Sequence, residues 1–137
     1  MPTGKARGIN GVQARRVAEG APWEPDAIVQ DERFLAVHAR GKGLVVFSAC
    51  SHAGIVNVLH PARDCFAGVK LHATVGGFHL AGPTEATIPD TVRDLSGFGL
   101  DLIIPAHCTG WRAVAALVGT FGEDIVIAAV VGKVFSL

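Results

Sequence analysis

The stretch "GLVVFSACSHAGIVNVL", Gly43 to Leu59, decides how the rest of the chain is read. Leu44–Ala49 is a mostly apolar run of the length and composition of a buried strand. It breaks at small polar residues and His52, and from Ala53 to about Leu59 the spacing of apolar residues becomes helical. A strand that stops at a histidine and restarts as a helix is half of a βαβ unit, so the stretch predicts an α/β layered domain. It also raises the question of why an imidazole, beside Cys50, marks the break.

Two later strand ends repeat the pattern. The three ends read "ACSHAG", "VGGFHLAG" and "IPAHCTG", each with a histidine followed by glycine two or three residues on. His52, His79 and His107 are separated by 27 and 28 residues, close to one strand-plus-helix crossover of roughly 30. Adjacent parallel strands would bring all three to the C-terminal rim of one sheet, where open α/β folds keep their sites. Imidazole suits zinc, iron or manganese, and three protein ligands with one open position is the pattern of a catalytic metal. His52, His79 and His107 are therefore the candidate ligands. Paired glycines weaken an ordinary strand, and "GGF" (Gly76–Phe78) before His79 is expected where backbone approaches a metal or substrate closely.

Other residues divide between roles. Cys50, two positions from His52, is either a soft ligand or a small core residue; Cys108, adjacent to His107, is expected to point the other way. Arg112 and Thr109 stand at the start of a helix, where a guanidinium and free N–H groups hold phosphate or carboxylate; a surface arginine over Trp111 is the alternative. Asn57 either reaches the rim or caps a turn. His60 and His72 are assigned no site role, His38 is left open, and Cys65 packs.

Around these motifs, Arg33–Ala39 and Leu44–Ala49 read as a hairpin through Gly41–Gly43. "HPARD" ends the first helix, because Pro61 disfavours a helical His60. "VKLHATV" alternates, with Val69, Leu71, Ala73 and Val75 on one face and Lys70, His72 and Thr74 on a wetter one. Thr87 caps a helix through Leu95, Asp101–Ala106 is a strand, and Thr109 caps a helix over "GWRAVAALVGTF". "DIVIAAVV" and "KVFSL" read as late strands. Residues 1–25 form an irregular basic arm with Lys5, Arg7, Arg15 and Arg16, and residues 26–137 one domain.

Composition narrows the function. Twelve basic and twelve acidic residues cancel, which leaves no footprint for nucleic acid or an anionic membrane. No apolar run approaches the roughly 20 residues that span a bilayer, and the first twenty residues lack the apolar core of a secretory leader. Three cysteines, an odd number, argue for free thiols and the cytoplasm. Half of the chain is hydrophobic and only 18% is charged. A small neutral domain so apolar is expected to bury a surface against a partner.

The blocks "GLVVFSACSHAGIVN", "VGGFHL" and "IPAHCTGWRA", with "PDAIVQDERFLAV" upstream, resemble the metallo-β-lactamase superfamily, in its dihydropterin-ribofuranosyl-aminobenzene-phosphate synthase-like branch of metal-dependent hydrolases. The likeness runs from about Trp23 to Leu137. It implies the C-terminal half of an αββα sandwich, one mixed sheet with helices on one face, and a metal pair at the strand ends. His52 and His107 match metal-binding positions of the family, and His79 falls near a bridging aspartate. The resemblance implies metal-dependent hydrolysis of a small anionic substrate, with zinc first and iron or manganese as alternatives. The superfamily's His-x-His-x-Asp-His motif is absent from this sequence. The chain is thus expected to be incomplete alone, as a homo-oligomer or beside a separately encoded N-terminal half. The alternative is a non-catalytic truncated homologue serving as a structural or binding subunit.

Overall fold

The computed structural model describes residues 14–16, 18–25 and 32–136. The expected strand and helix of the opening stretch both form. β3 (Phe34–Ala39) and β4 (Gly43–Ser48) make an antiparallel hairpin in which Ala39 opposes Gly43, so residues 40–42 are the loop. β4 runs through α1 (Ile55–Cys65) to β5 (Leu71–Gly77), which lies parallel to it. After a turn at Gly82–Thr87, α2 (Ile88–Leu95) leads to β6 (Leu102–Ala106), parallel to β5. α3 (Trp111–Phe121) follows. The sheet order is β3-β4-β5-β6, a mixed sheet. In the basic arm, β1 (Ala14–Arg15) pairs with β2 (Glu24–Pro25), a two-residue ladder inside a segment read as irregular. The earlier part of that arm, and residues 26–31 of the upstream block, lie outside the described residues.

All three helices bury one stripe against one sheet face. Ile55, Val58, Leu59 and Ala62 of α1, Val92 and Leu95 of α2, and Ala113 and Leu117 of α3 join Leu44, Val46 and Ile103 in a single cluster. Each large side chain fully withdrawn from water, such as Leu44, Leu59 or Ile103, contributes about 2 kcal/mol. This cluster carries α1 through Pro61. The proline removes the donor that the Asn57 carbonyl would accept from, yet the apolar stripe continues to Ala62, 0% exposed. The helix therefore runs to Cys65, and the expected stop at His60 is overturned.

β5 departs from simple alternation as well. The β4–β5 register shifts between Leu44 and Val45, so Leu71 joins the helix-side cluster while Ala73 and Val75 oppose Val45 and Phe47 on the other face. Of the face read as wetter only Lys70 is exposed; His72 is 9% exposed and Thr74 0%. The opposite face keeps an apolar surface that opens toward β3, where Leu35 and Val37 are 62% and 45% exposed.

The late strands are also corrected. Residues 125–129 run beside β6, with Ile127 N–H donating to the Ile103 carbonyl and Ala129 N–H to that of Pro105, but only Val126 forms a bridge. "KVFSL" is not a strand in its described part, because nothing there continues the pairing. Among the described residues no helix is long and apolar enough to cross a membrane.

Candidate metal centre

The C-terminal ends of β4, β5 and β6 do meet at one rim, and the loops that leave them are tied together. Gly77 N–H donates to the Ala49 carbonyl at 3.2 Å, Leu80 N–H to that of Cys108 at 3.1 Å, and Phe78 N–H to Thr109 Oγ1 at 3.1 Å. Two non-glycine residues on these loops sit in the left-handed region, Ser51 at φ 51° and His79 at φ 50°. Such conformations cost about 1–3 kcal/mol each and persist where the surroundings impose them, often at functional sites.

His52 and His79 meet edge to face, ring centroids 4.6 Å apart. Cys50 stands beside them, and the ligand atoms of Cys50, His52 and His79 all lie within 4.8 Å of one another. His107 lies on the other side of Cys50, its Nε2 3.0 Å from Cys50 Sγ. Cys108 completes that side at 3.6 Å from Cys50 Sγ, and Cys50, His107 and Cys108 form a second group with ligand atoms within 4.8 Å. The three predicted histidines are thus one neighbourhood divided by a thiol.

Cys108 was expected to point away. Residues His107–Thr109 form a 3₁₀ turn instead of continuing the strand, so neighbours no longer alternate by face, and both His107 and Cys108 reach the rim. Cys50 likewise belongs to the site and not to the core. The sequence did hold a signal, since cysteine accompanies histidine at two of the three strand ends.

The glycines before His79 leave room for this arrangement. A Cβ on Gly76, whose φ is 141°, would fall on the Ser48 carbonyl oxygen at 1.8 Å. One on Gly77 would meet Cys108 Sγ at 2.5 Å and the His107 ring at 2.7 Å. Gly77 is the floor of a cradle, with His107 and Cys108 resting where a side chain would be.

The electrostatics favour a neutral imidazole at the centre. Burial lowers the His79 pKa, and His52 and His107 add to this, while Glu32 opposes it. Glu32 also accepts the Ala53 N–H at 3.0 Å, a link between β3's approach and the rim that the sequence reading missed. Burial pushes the Cys108 thiol up to about 11, with Cys50 as the next cause. His79 Nδ1 is buried with no hydrogen-bond partner. An unsatisfied buried polar atom costs about 1–3 kcal/mol, and ligation of an ion removes that cost. The cradle at Gly77, the orphaned nitrogen and the nitrogen and sulfur donors together fit a divalent metal.

The remaining candidates stand apart from the donors. Arg112 Nη1 donates to both oxygens of Glu85 at 3.1 and 3.0 Å, and its guanidinium lies 4.7 Å from the Trp111 ring. Thr109, 1% exposed, uses its oxygen for Phe78, and Gly110 takes the N-cap of α3. Asn57 donates to the Ala53 carbonyl at 2.6 Å, inside the first turn of α1. Thr87 caps α2 by position, but its hydroxyl donates to the Thr84 carbonyl. His72 pairs with Asp101 at 2.8 Å at the far end of β5, and His38 opposes Leu44 at the far end of β4; neither is at the rim.

Comparison with known proteins gives this rim a lineage. The fold superposes on a solved metal-dependent hydrolase of the β-lactamase superfamily with a TM-score of 0.76 and 30% identity, over 86% of this chain and 44% of that one. The chain is a relative of the metallo-β-lactamase superfamily hydrolases. A curated 7,8-dihydropterin-6-methyl-4-(β-D-ribofuranosyl)-aminobenzene-5'-phosphate synthase from Methanocaldococcus jannaschii is 36% identical over 96 residues, 70% of this chain and 32% of that protein. An uncharacterised protein of the same organism is 32% identical over 89 residues, 65% of this chain and 31% of its own length. The chain thus spans about a third of the curated relatives it matches. No family model matches it. One mixed sheet with three helices is the part of that fold that this chain matches.

Proposed function

We propose that this chain contributes half of a metal-dependent hydrolase centre, with His52, His79 and His107 as ligands of a divalent ion. The orphaned, buried Nδ1 of His79, beside His52 on a rim shared with His107, is the observation that carries the reading. Zinc suits these donors best, with iron or manganese as alternatives. The ion supplies Lewis acidity, activating water and polarising the electrophile. The chain's own residues hold the centre: the ties through Phe78, Leu80 and Gly77 fix the loops, and the neutral His79 is ready to ligate without losing a proton.

The matched synthase is named for a phosphorylated product, which supports a small anionic substrate here. Arg112 and the α3 N-terminus, with Thr109 and Asn57 shaping the loops behind them, are its proposed binding elements. The sequence lacks His-x-His-x-Asp-His, and the exposed Leu35 and Val37 leave an apolar sheet face to be covered. Both favour a working unit made with a second copy or a separately encoded half. Free thiols at the rim suit the reducing cytoplasm.

Metal analysis of protein purified without an affinity tag tests the centre. Near-stoichiometric zinc, iron or manganese, lowered in His52→Ala, is the expected result. Absence of metal, with no change in thermal unfolding on adding zinc, overturns it and leaves a non-catalytic subunit.

A further inference from the structure

The two donor groups at the rim share one atom, Cys50 Sγ, and the second group is rich in sulfur. The geometry points to a thiolate-rich ion site formed by Cys50, Cys108 and His107, beside the His52–His79 pair. It deepens the metal-centre reading and rests on it through His107, which it moves from the ion of His52 and His79 to a second, thiolate-bound one.

Distances decide between the things two adjacent cysteines can do. A disulfide holds its sulfurs about 2.0 Å apart, far closer than the 3.6 Å between Cys50 and Cys108. With metal–sulfur and metal–nitrogen lengths of about 2.3 and 2.0 Å, a tetrahedral ion sets two sulfurs about 3.8 Å apart and sulfur and nitrogen about 3.5 Å apart. The sulfur pair already matches that edge. The 3.0 Å from Cys50 Sγ to His107 Nε2 has to open by about half an ångström, within the reach of one side-chain rotation. His107 is exposed and Cys50 and Cys108 are half-buried, so an ion can enter and a fourth position stays free for solvent or a substrate atom.

Gly77 supports the same assignment. Its missing Cβ would occupy space within 2.7 Å of Cys108 Sγ and of the His107 ring together, which places the two ligands over a single opening. Two thiolates and one imidazole select a thiophilic ion such as Zn²⁺ or Cd²⁺ over Mg²⁺ or Ca²⁺. Binding releases the thiol protons to solvent, with no change of oxidation state. Cys50 faces both groups, so its thiolate is placed to bridge this ion to one held by His52 and His79.

Cobalt substitution tests the site in the full chain, reduced and stripped of metal, with Cys65→Ser in every sample so that only rim thiols report. Co²⁺ is expected to give an intense near-ultraviolet thiolate charge-transfer band beside its visible bands. The charge-transfer band is expected to fall in Cys108→Ser, to fall further but not vanish in Cys50→Ser, and to persist in His52→Ala. Visible cobalt bands without the charge-transfer band overturn the thiolate site but leave the histidine centre standing; no cobalt binding at all overturns both. Should a cysteine variant fail to fold, alkylation of the unaltered chain gives the answer. Zn²⁺ is expected to slow modification of Cys50 and Cys108 at least about tenfold and leave Cys65 unaffected. Equal rates with and without Zn²⁺, or a Cys50–Cys108 disulfide that replaces zinc binding, overturn the proposal.

Discussion

His79 combines three unusual properties: a positive φ, a buried nitrogen without a partner and a lowered pKa. A histidine whose folded pKa is depressed is protonated more readily in the unfolded chain. Its neutral form therefore supports the fold above the ordinary imidazole value of about 6.5, and that support is lost as pH falls through it toward the folded value. Thermal unfolding of the metal-free protein is expected to drop between neutral and mildly acidic pH, and His79→Gln is expected to flatten that slope. An unchanged slope would assign the acid sensitivity elsewhere. Gly77 acts by omission. In Gly77→Ala the new methyl displaces Cys108 and His107, so metal affinity measured by competition with a chelator is expected to fall at least about tenfold, as such shifts of ligand-orienting groups do. The histidines and the glycine pair were legible because their chemistry is carried by residue type and spacing. Cys50 was left open between ligand and core, and Cys108 was misplaced because its direction depends on a 3₁₀ turn that strand periodicity cannot foresee.

At the scale of elements, β4, β6 and α3 could be read directly, because each has an apolar pattern that its burial follows. α1 and β5 diverged where packing overrode local preference. Pro61 argues locally for a stop, but the cluster beneath α1 rewards one more turn. The bulge between β4 and β5 changes which face Leu71 shares, and no alternation of residues announces it. Thr74, fully buried between Val46 and Ile103, keeps a hydroxyl without a hydrogen-bond partner. Thr74→Val removes that unsatisfied group in nearly the same shape, and an increase of about 1 kcal/mol in unfolding free energy is expected from denaturant titration. A loss of stability would show that the hydroxyl has a partner in solution, such as a bound water.

At the scale of the molecule, the sheet has one face clothed by three helices and another whose β3 side is apolar and open. Sedimentation of the chain alone is expected to show association, and Leu35→Lys with Val37→Lys is expected to shift it to a monomer that stays folded by circular dichroism. A soluble monomer before any substitution would sink the shared-surface reading. Arg112 carries a further consequence. Its guanidinium is already held by Glu85, a carboxylate 27 positions away whose tether keeps it permanently in range. The pair is exposed, 58% and 33%, and such pairs contribute under about 1 kcal/mol. For the anion site proposed at Arg112, Glu85 is therefore a resident competitor with a low threshold: a doubly charged phosphate is expected to displace it, and a dilute monoanion to gain too little from the exchange.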